Sequence, residues 1–193
     1  MSPTYGDAIV VVTGAASGIG RAVGRRLADL GAYVVGLDRR VEAADGVEAR
    51  AADVTDPGSV AAALAGLPAV HALFNCAGVT GAAGPEPTLA VNVLGTREVS
   101  RQVLDLMPDH GSITNIASIG GWRWDHDFDL VRDFVAEVDH GSLAAWCQAH
   151  ADLLEPSAYP FSKQWTPDVE PRRRPPLCPS RPTANTHLPR RYP

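Results

Sequence analysis

The stretch that decides the fold is "VVVTGAASGIGRAVG", which runs from Val10 to Gly24. It begins with a short β-branched apolar run that ends in glycine, and apolar positions at helical spacing follow. Gly14, Gly18 and Gly20 lie between the predicted strand and the predicted helix. At such a junction, backbone N–H groups and the positive helix end can bind a phosphate, and glycine is needed where a Cβ would block the approach.

Strands and helices continue to alternate as far as residue 118. The segments are the strand "YVVGLD", the helix "SVAAALAGLP", the strand "VHALFNCAG", the long helix "TLAVNVLGTREVSRQVLDLM" and the strand "GSITNIAS". Continuous apolar strands separated by helices are typical of a parallel sheet covered on both faces. We therefore predict an α/β protein with a doubly wound parallel sheet, the Rossmann fold, that is incomplete at its C-terminal end.

The composition excludes several classes of protein. Of the 193 residues, 45% are hydrophobic and 20% are charged, which is ordinary for a globular domain. No apolar run approaches the roughly 20 residues needed to span a bilayer, and the N-terminus lacks the pattern of a signal peptide, so we expect a cytoplasmic protein without a membrane partner. Cys76, Cys147 and Cys178 form no C-x-x-C pair, so neither disulfides nor a metal site is predicted.

The charge is unevenly distributed along the chain. Residues 164–193 contain six arginines against Asp168 and Glu170 and so carry +4, which leaves −9 on residues 1–163 of the total of −5. An acidic domain offers no surface for tracking phosphates, so no nucleic-acid partner is predicted.

Further motifs follow the glycine loop. Asp38 ends the second strand, 24 residues after Gly14, where a carboxylate can accept hydrogen bonds from an adenosine ribose. Tyr159 and Lys163 are four apart, which places both on one helical face. With "TGAASGIG", "NCAG", "VNVLG" and "NIAS" in this order, residues 8–163 resemble the classical short-chain dehydrogenase/reductase family. Cys76 replaces the family's second Asn, and Ser17 makes the extended epimerase branch less similar.

The resemblance implies a set of site residues. The catalytic residues would be Asn92, Ser118, Tyr159 and Lys163. The cofactor contacts would come from Gly14, Ser17, Gly18, Ile19, Gly20, Asp38, Asp53, Val54, Asn75, Ala77 and Gly78. Taken singly, Ser118 could cap a helix, Asn92 could satisfy buried backbone, and Tyr159 could be a half-buried aromatic residue.

The resemblance also implies an oxidoreductase that transfers hydride between NAD(H) and an alcohol or ketone. Tyr159 would exchange the alcohol proton, Lys163 would favour the phenolate, Ser118 would bind the reacting oxygen, and Asn92 would hold a water that connects Lys163 to solvent. Asp38 would repel the 2′-phosphate of NADP, whereas Arg39 and Arg40 keep NADP as the alternative. The other functional hypothesis is a non-catalytic dinucleotide-binding or protein-interaction protein with a degenerate site.

Residues 119–158 place about 40 residues between the last predicted strand and Tyr159, whereas a connection in such folds typically has about 2–6. We therefore predict a helical insertion at residues 119–158. It is similar to that of bacterial 3α-hydroxysteroid and coniferyl-alcohol dehydrogenases in the family, which suggests a steroid or aromatic alcohol as substrate. Trp122, Trp124 or Trp146 would form a wall beside the substrate, or would simply attach the extra helices to the body. Full-length relatives are expected to be homo-oligomers.

The last predicted region is residues 164–193, which follow the 1–163 dinucleotide-binding domain. Eight prolines in this segment exclude a helix or a central strand, so we expect a disordered Pro/Arg-rich tail. A shifted reading frame near Gln164 and a genuine interaction tail are the two explanations, and the first predicts a weak or inactive enzyme. Pro160 is expected in the first turn of the helix that carries Tyr159.

Overall fold

The computed structural model describes residues 5–42, 44–122 and 127–165. Its sheet has five parallel strands in the order β3-β2-β1-β4-β5. The strands are β1 (Ile9–Thr13), β2 (Tyr33–Asp38), β3 (Val47–Ala51), β4 (Ala72–Asn75) and β5 (Ser112–Asn115). The helices are α1 (Gly18–Asp29), α2 (Pro57–Leu64), α3 (Pro85–Leu89), α4 (Thr96–Leu104), α5 (Phe128–Glu137), α6 (Leu143–Ala149) and α7 (Ala151–Gln164). The predicted doubly wound parallel sheet is confirmed.

The central strand β1 is apolar from Ile9 to Val12 because both of its faces are covered. Val11 faces a core that includes Val60 of α2 and Val99 of α4. Val10 and Val12 face the opposite core, which includes Leu27 of α1. Successive side chains of a strand point to opposite faces, so a strand covered by helices on both sides has no polar position to alternate with.

The edge strand β3 was not predicted from the sequence. Its sequence "VEARA" carries Glu48 and Arg50, which interrupt any apolar run, and these two side chains pair at 2.7 Å. The strand forms because its backbone pairs with β2 over five residues, from Val47 to Ala51. Charged side chains on an edge strand also discourage pairing with another chain.

The long helix predicted before β5 consists of three parts. Between α3 and α4 lies a π-helical turn, Ala90–Gly95, which contains Asn92. Gly95 ends this turn against the next layer, where a Cβ would lie 2.8 Å from Cγ2 of Val54. Single π turns inside α-helices occur frequently at functional sites, and this one bears a predicted catalytic residue.

The segment predicted as an insertion contains α5 and α6, as its periodicity indicates, and its last residues belong to α7. These helices share an apolar core with α3 and the π turn, and Phe134 and Phe161 are among its buried residues. The ring of Trp146 in α6 meets that of Phe134 in α5 edge-on, with centroids 4.5 Å apart, and lies 5.6 Å from the ring of Phe161 in α7, so Trp146 joins these three helices. These ring contacts favour the alternative that Trp146 attaches the extra helices, and a role for it beside the substrate stays a prediction. Trp122, by contrast, is 72% exposed.

Arg97 of α4 fastens α5 to the body from outside this core. Its guanidinium donates to the backbone oxygens of Val135 at 2.7 Å and Val138 at 2.9 Å, at the C-terminal end of α5. Burial lowers the pKa of Arg97. A cation at the C-terminal end of a helix satisfies carbonyls that have no partner within the helix.

Helix α7 carries Tyr159 and Lys163, and it begins eight residues before Tyr159. Pro156 and Pro160 therefore lie inside the helix, so the expectation that Pro160 occupies the first turn is wrong. The sequence pattern missed the earlier start because proline normally breaks a helix interior, where it removes one backbone hydrogen bond and crowds the carbonyl four residues before it.

Several predictions lie outside the described residues. They concern Trp124, Cys178, the tail from residue 166 onward and the change of reading frame. Gln164 and Trp165 are described, as the last residue of α7 and the residue that follows it. Within the described ranges, every helix is too short or too polar to cross a lipid bilayer.

Candidate active site

The glycine loop joins β1 to α1 at the carboxyl end of the sheet. Gly14 adopts a left-handed backbone (φ +68°), and a Cβ there would lie 2.9 Å from the backbone N of Ala77. A Cβ on Gly20, in the first turn of α1, would collide with the carbonyl of Gly14. Because both positions exclude a side chain, the loop packs closely against the chain that follows β4 and against the helix.

The N-terminal end of α1 is open. Ser17 precedes the helix and its hydroxyl caps none of the first backbone N–H groups. Gly18 has φ +53°, and beyond its own chain neighbours and the backbone of α1 no described atom lies within 4 Å of the position of a Cβ there. Ile19 is exposed. Uncapped N–H groups beside open space form the cradle that a phosphate group fills at a helix N-terminus.

Asp38 holds the glycine loop in addition to ending β2. One carboxylate oxygen accepts a hydrogen bond from the backbone N–H of Ala16 at 3.1 Å, and the other accepts from the backbone N–H of Arg40 at 3.0 Å. Each oxygen retains a further lone pair, since an ionised carboxylate accepts about four hydrogen bonds. Asp38 can therefore accept hydrogen bonds from a bound ligand while it supports the loop, a structural role that the sequence did not indicate.

Asp53 and Val54 lie just after β3. Asp53 accepts hydrogen bonds from the hydroxyl of Thr55 at 2.7 Å and from its backbone N–H at 2.9 Å. The Thr55 hydroxyl, and then its N–H and the nearby Arg39 and His140, hold the pKa of Asp53 below its ordinary value despite partial burial. Val54 packs against the π turn at Gly95. The pair thus lies between the sheet edge and the turn that bears Asn92.

Thr13 connects β1 to the "NCAG" segment and was missed in the sequence. Its buried hydroxyl accepts hydrogen bonds from the backbone N–H groups of Cys76 and Ala77, both at 3.0 Å. Burial raises the pKa of the Cys76 thiol to about 11, which makes it a poor nucleophile. The only sequence signal for this role is that a threonine, which has a hydroxyl, ends an otherwise apolar strand.

Asn75 and Gly78, both predicted to contact the cofactor, have different surroundings. The amide nitrogen of Asn75 donates to Ser100 at 3.0 Å and to Asn115 at 2.8 Å, and the side chain is buried. Its oxygen accepts no hydrogen bond from the described residues. Asn75 thus ties β4 to β5 and α4, whereas Gly78 lies beside Asn92, with a Cβ position 3.3 Å from the amide oxygen.

Asn92 joins three segments of the site. Its amide oxygen accepts from the backbone N–H of Val79 at 2.9 Å, and its amide nitrogen donates to the carbonyl of Val79 and to the hydroxyl of Ser162, both at 3.0 Å. The side chain is buried in the π turn. Asn92 therefore links the loop after β4 to α7, and its partner Ser162 is a residue that the sequence did not single out.

Ser118 and Tyr159 meet beside Gly120. The hydroxyl of Ser118 accepts from the backbone N–H of Gly120 at 3.1 Å. A Cβ on Gly120 would lie 3.5 Å from that hydroxyl and 3.4 Å from Cε1 of Tyr159. The side chains of Ser118 and Tyr159 therefore both border Gly120, although they are 41 positions apart in the chain.

Lys163 lies one helical turn beyond Tyr159. Its ammonium donates to the carbonyl of Ile116 at 3.1 Å and lies 5.8 Å from the centre of the Tyr159 ring. Gly121 packs so closely against the carbonyl of Lys163 that a Cβ there would collide with it. The chain after β5 therefore holds both ends of the Tyr159 to Lys163 interval.

A groove of about 560 Å³ adjoins this arrangement. Its lining includes Gly120, which borders Ser118 and Tyr159, and is otherwise largely apolar: Ile119, Trp122, Leu153, Pro160 and Phe161. Ser157, Gln164 and Asp127 add polar atoms to the lining, and the amide nitrogen of Gln164 donates to the carboxylate of Asp127 at 3.1 Å. An apolar groove with few polar groups is typical of a site for a small organic molecule.

Comparison with known proteins agrees with this geometry. Residues 8–125 match the family model described as short chain dehydrogenase. The chain is 34% identical over 138 residues to a coniferyl-alcohol dehydrogenase of Pseudomonas sp. (strain HR199), a match that covers 71% of this chain and 54% of that protein. It is 34% identical over 137 residues to a D-threitol dehydrogenase of Mycolicibacterium smegmatis, which covers 57% of this chain and 52% of that protein.

Solved structures give the same result. An aldohexose dehydrogenase of Thermoplasma acidophilum superposes with a TM-score of 0.56 at 28% identity and covers 60% of this chain and 51% of its own. A short-chain dehydrogenase/reductase of Serratia marcescens gives 0.55 at 27% identity, with 63% and 62% covered. The chain spans about half the length of the curated relatives it matches. By its glycine loop, its sheet and the family match, this protein belongs to the short-chain dehydrogenase family.

Proposed function

We propose that this chain carries the cofactor-binding and proton-transfer parts of an oxidoreductase that interconverts an alcohol and a carbonyl compound with a nicotinamide dinucleotide. The observation that supports this most is the meeting of Ser118 and Tyr159 beside Gly120, with Lys163 one turn further along α7. These residues lie at the carboxyl end of the parallel sheet, on the same side as the glycine loop. Ligands of such sheets bind at this end.

The residues around the open end of α1 fit the cofactor. Its pyrophosphate would be bound by the N–H groups at Ser17, Gly18 and Ile19, where the space that a Cβ at Gly18 would fill is open. Asp38 would accept hydrogen bonds from the adenosine ribose, and Asp53 and Val54 would border the adenine. The backbone of Ala77 and Gly78 would line the path towards the nicotinamide.

The cofactor supplies or accepts the hydride, and the protein moves the proton. Tyr159 would take the proton from the alcohol oxygen, or return it to the carbonyl oxygen in the opposite direction. Ser118 would donate a hydrogen bond to that oxygen and stabilise its developing negative charge. Lys163 would favour the phenolate of Tyr159 through its positive charge.

Asn92 would contribute differently from what the sequence suggested. Both hydrogens of its amide are committed, one to Val79 and one to Ser162. A water relay from Lys163 to solvent would therefore use the backbone carbonyl of Asn92 or the remaining lone pair of its amide oxygen. The side chain itself acts as a clamp in this proposal.

NAD is the proposed cofactor rather than NADP. The carboxylate of Asp38 would repel the 2′-phosphate of NADP. Arg40 is less available to bind that phosphate than its position suggests, because its side chain pairs with Glu42 at 3.3 Å. Arg39 remains the residue that favours the alternative.

For the substrate we propose an apolar or aromatic alcohol. The groove beside Gly120 is lined mainly by apolar side chains, and the relative from Pseudomonas is named for an aromatic alcohol. The domain division at residue 163 is part of the same proposal, with the glycine loop and the catalytic pair on one unit.

Titration of NADH fluorescence tests the binding half of the proposal, and turnover of aromatic alcohols with NAD tests the rest. Tyr159→Phe keeps the ring that contacts Gly120 and should retain NADH affinity while turnover is lost. Asp38→Ala should shift preference towards NADP. An unchanged preference would contradict the ribose assignment, and binding without turnover in the parent chain would favour the non-catalytic alternative.

A further inference from the structure

Ser162 lies between the two residues of the Tyr159 and Lys163 pair, and it is 2% exposed. Its hydroxyl donates to the carbonyl of Tyr159 at 2.8 Å and accepts from the amide nitrogen of Asn92 at 3.0 Å. The hydroxyl has a single proton, which the bond to Tyr159 uses. Ser162 is thus the point at which α7 is joined to the π turn through hydrogen bonds.

Helix α7 needs such a connection more than an ordinary helix does. Pro160 has no N–H, so the turn that contains Tyr159 lacks one backbone hydrogen bond, and Pro156 removes another one turn earlier. Missing bonds in a helix interior permit kinks and local opening. The position of Tyr159 therefore depends on contacts from outside the helix.

Apart from the hydrogen bond of Lys163 to the carbonyl of Ile116, the other contacts described for this turn are steric. Gly81 lies 3.4 Å from Cβ of Tyr159, measured from its ideal Cβ position, and Gly120 approaches the ring to the same distance. Such contacts limit the movement of the ring in two directions but do not fix the backbone of the helix. The hydrogen bonds of Ser162 do, because Asn92 donates to its hydroxyl from outside α7 and that hydroxyl donates in turn to the carbonyl of Tyr159.

We propose that Ser162 is a positioning residue, which holds the Tyr159 turn of α7 to Asn92 and so maintains the distance between Tyr159 and Ser118. Its effect on catalysis rests on the proposed function, whereas its effect on α7 does not. A displacement of about 1 Å at a catalytic group can lower a rate on the order of a hundredfold, so the loss of this link should be visible in turnover.

The chain contains a matched control. Ser100 of α4 is also buried, its hydroxyl donates to the carbonyl of Thr96 at 2.7 Å, and it accepts from the amide nitrogen of Asn75 at 3.0 Å. Ser100→Ala therefore removes a pair of hydrogen bonds of the same kind as Ser162→Ala, one to a backbone carbonyl and one from an asparagine amide. It removes them from a helix that has no proline and no proposed catalytic residue.

Amide hydrogen exchange of the two variants tests the proposal without any need for turnover. In Ser162→Ala, the amides of α7 should exchange about tenfold faster than in the parent, which corresponds to roughly 1.4 kcal/mol, mainly for the lost hydrogen bond from Asn92 that ties α7 to the π turn. In Ser100→Ala, the change should be confined to α4 and β4. Unchanged exchange in α7 of Ser162→Ala, or an equal increase in both variants, would overturn the proposal.

Kinetics and a conservative variant complete the test. If the parent turns over an alcohol, Ser162→Ala should lower kcat about tenfold or more while KM and NADH affinity stay within twofold. Ser162→Cys retains a weak donor and acceptor and should exchange at an intermediate rate. If every Ser162 variant failed to fold while Ser100→Ala folded, a role confined to α7 would be excluded. Failure of the parent to bind NADH would instead refute the proposed function.

Discussion

Thr13→Val should destabilise the protein although it changes almost nothing in shape. Valine matches threonine in volume and favours β-strands, so the variant leaves no cavity in β1. It does remove the oxygen that accepts hydrogen bonds from Cys76 and Ala77. Each buried N–H left without a partner costs about 1–3 kcal/mol, so we expect a total loss of about 2–6 kcal/mol for the two groups.

Urea unfolding followed by tryptophan fluorescence measures this loss, and NADH titration measures its effect on the site. Thr13→Ser is the control, since it keeps the hydroxyl and loses one methyl group, worth about 1 kcal/mol. The valine variant should also bind NADH more weakly, because the segment from Cys76 to Gly78 loses its anchor. A valine variant within about 0.5 kcal/mol of the parent would refute the argument that the two bonds matter, since that is the range of neutral surface changes.

Three further predictions follow from the charges and thiols. Arg97→Met should lower the thermal midpoint by several degrees, whereas Arg101→Met should hardly change it. The reason is that Arg97 makes two half-buried charge-assisted hydrogen bonds to α5, while Arg101 makes an exposed ion pair with Glu98 of its own helix. Equal shifts of the two variants in thermal unfolding would contradict this. The pKa of Asp53 is lower in the folded than in the unfolded protein, so its carboxylate stabilises the fold above the unfolded pKa of about 4, and this effect is lost as the pH falls through the folded pKa. The difference in urea midpoint between the parent and Asp53→Asn should therefore shrink in acid. A difference that stayed constant with pH would be inconsistent with the pKa shift. Burial raises the pKa of both Cys76 and Cys147 to about 11. Iodoacetamide at pH 8 should therefore modify these thiols roughly a hundredfold more slowly than a free cysteine, which peptide mass spectrometry can measure. Labelling at the rate of free cysteine would contradict this prediction, because it would show that the thiolates are accessible.

The elements that the sequence predicted correctly are those whose pattern is local. The apolar run of β1, the glycine loop and the periodic residues of α1 lie within one continuous stretch, so the strand, turn and helix can be recognised there together. Strand β3 escaped detection because its own residues are mixed in character, and its conformation depends on pairing with β2. The start of α7 was not predicted because Pro156 and Pro160 are untypical of a helix interior, and tertiary packing maintains the helix in spite of them.

The candidate site divides in the same way. Spacing alone placed Tyr159 and Lys163 on one helical face, and the order of the motifs indicated the family to which the chain belongs. The partners of Thr13, Arg97 and Ser162 were decided only by the tertiary structure, since they lie 38 to 70 positions away in the chain. Periodicity reports which face of an element is buried, but a hydrogen bond between distant segments depends on strand register and helix packing, which form only when the whole domain folds.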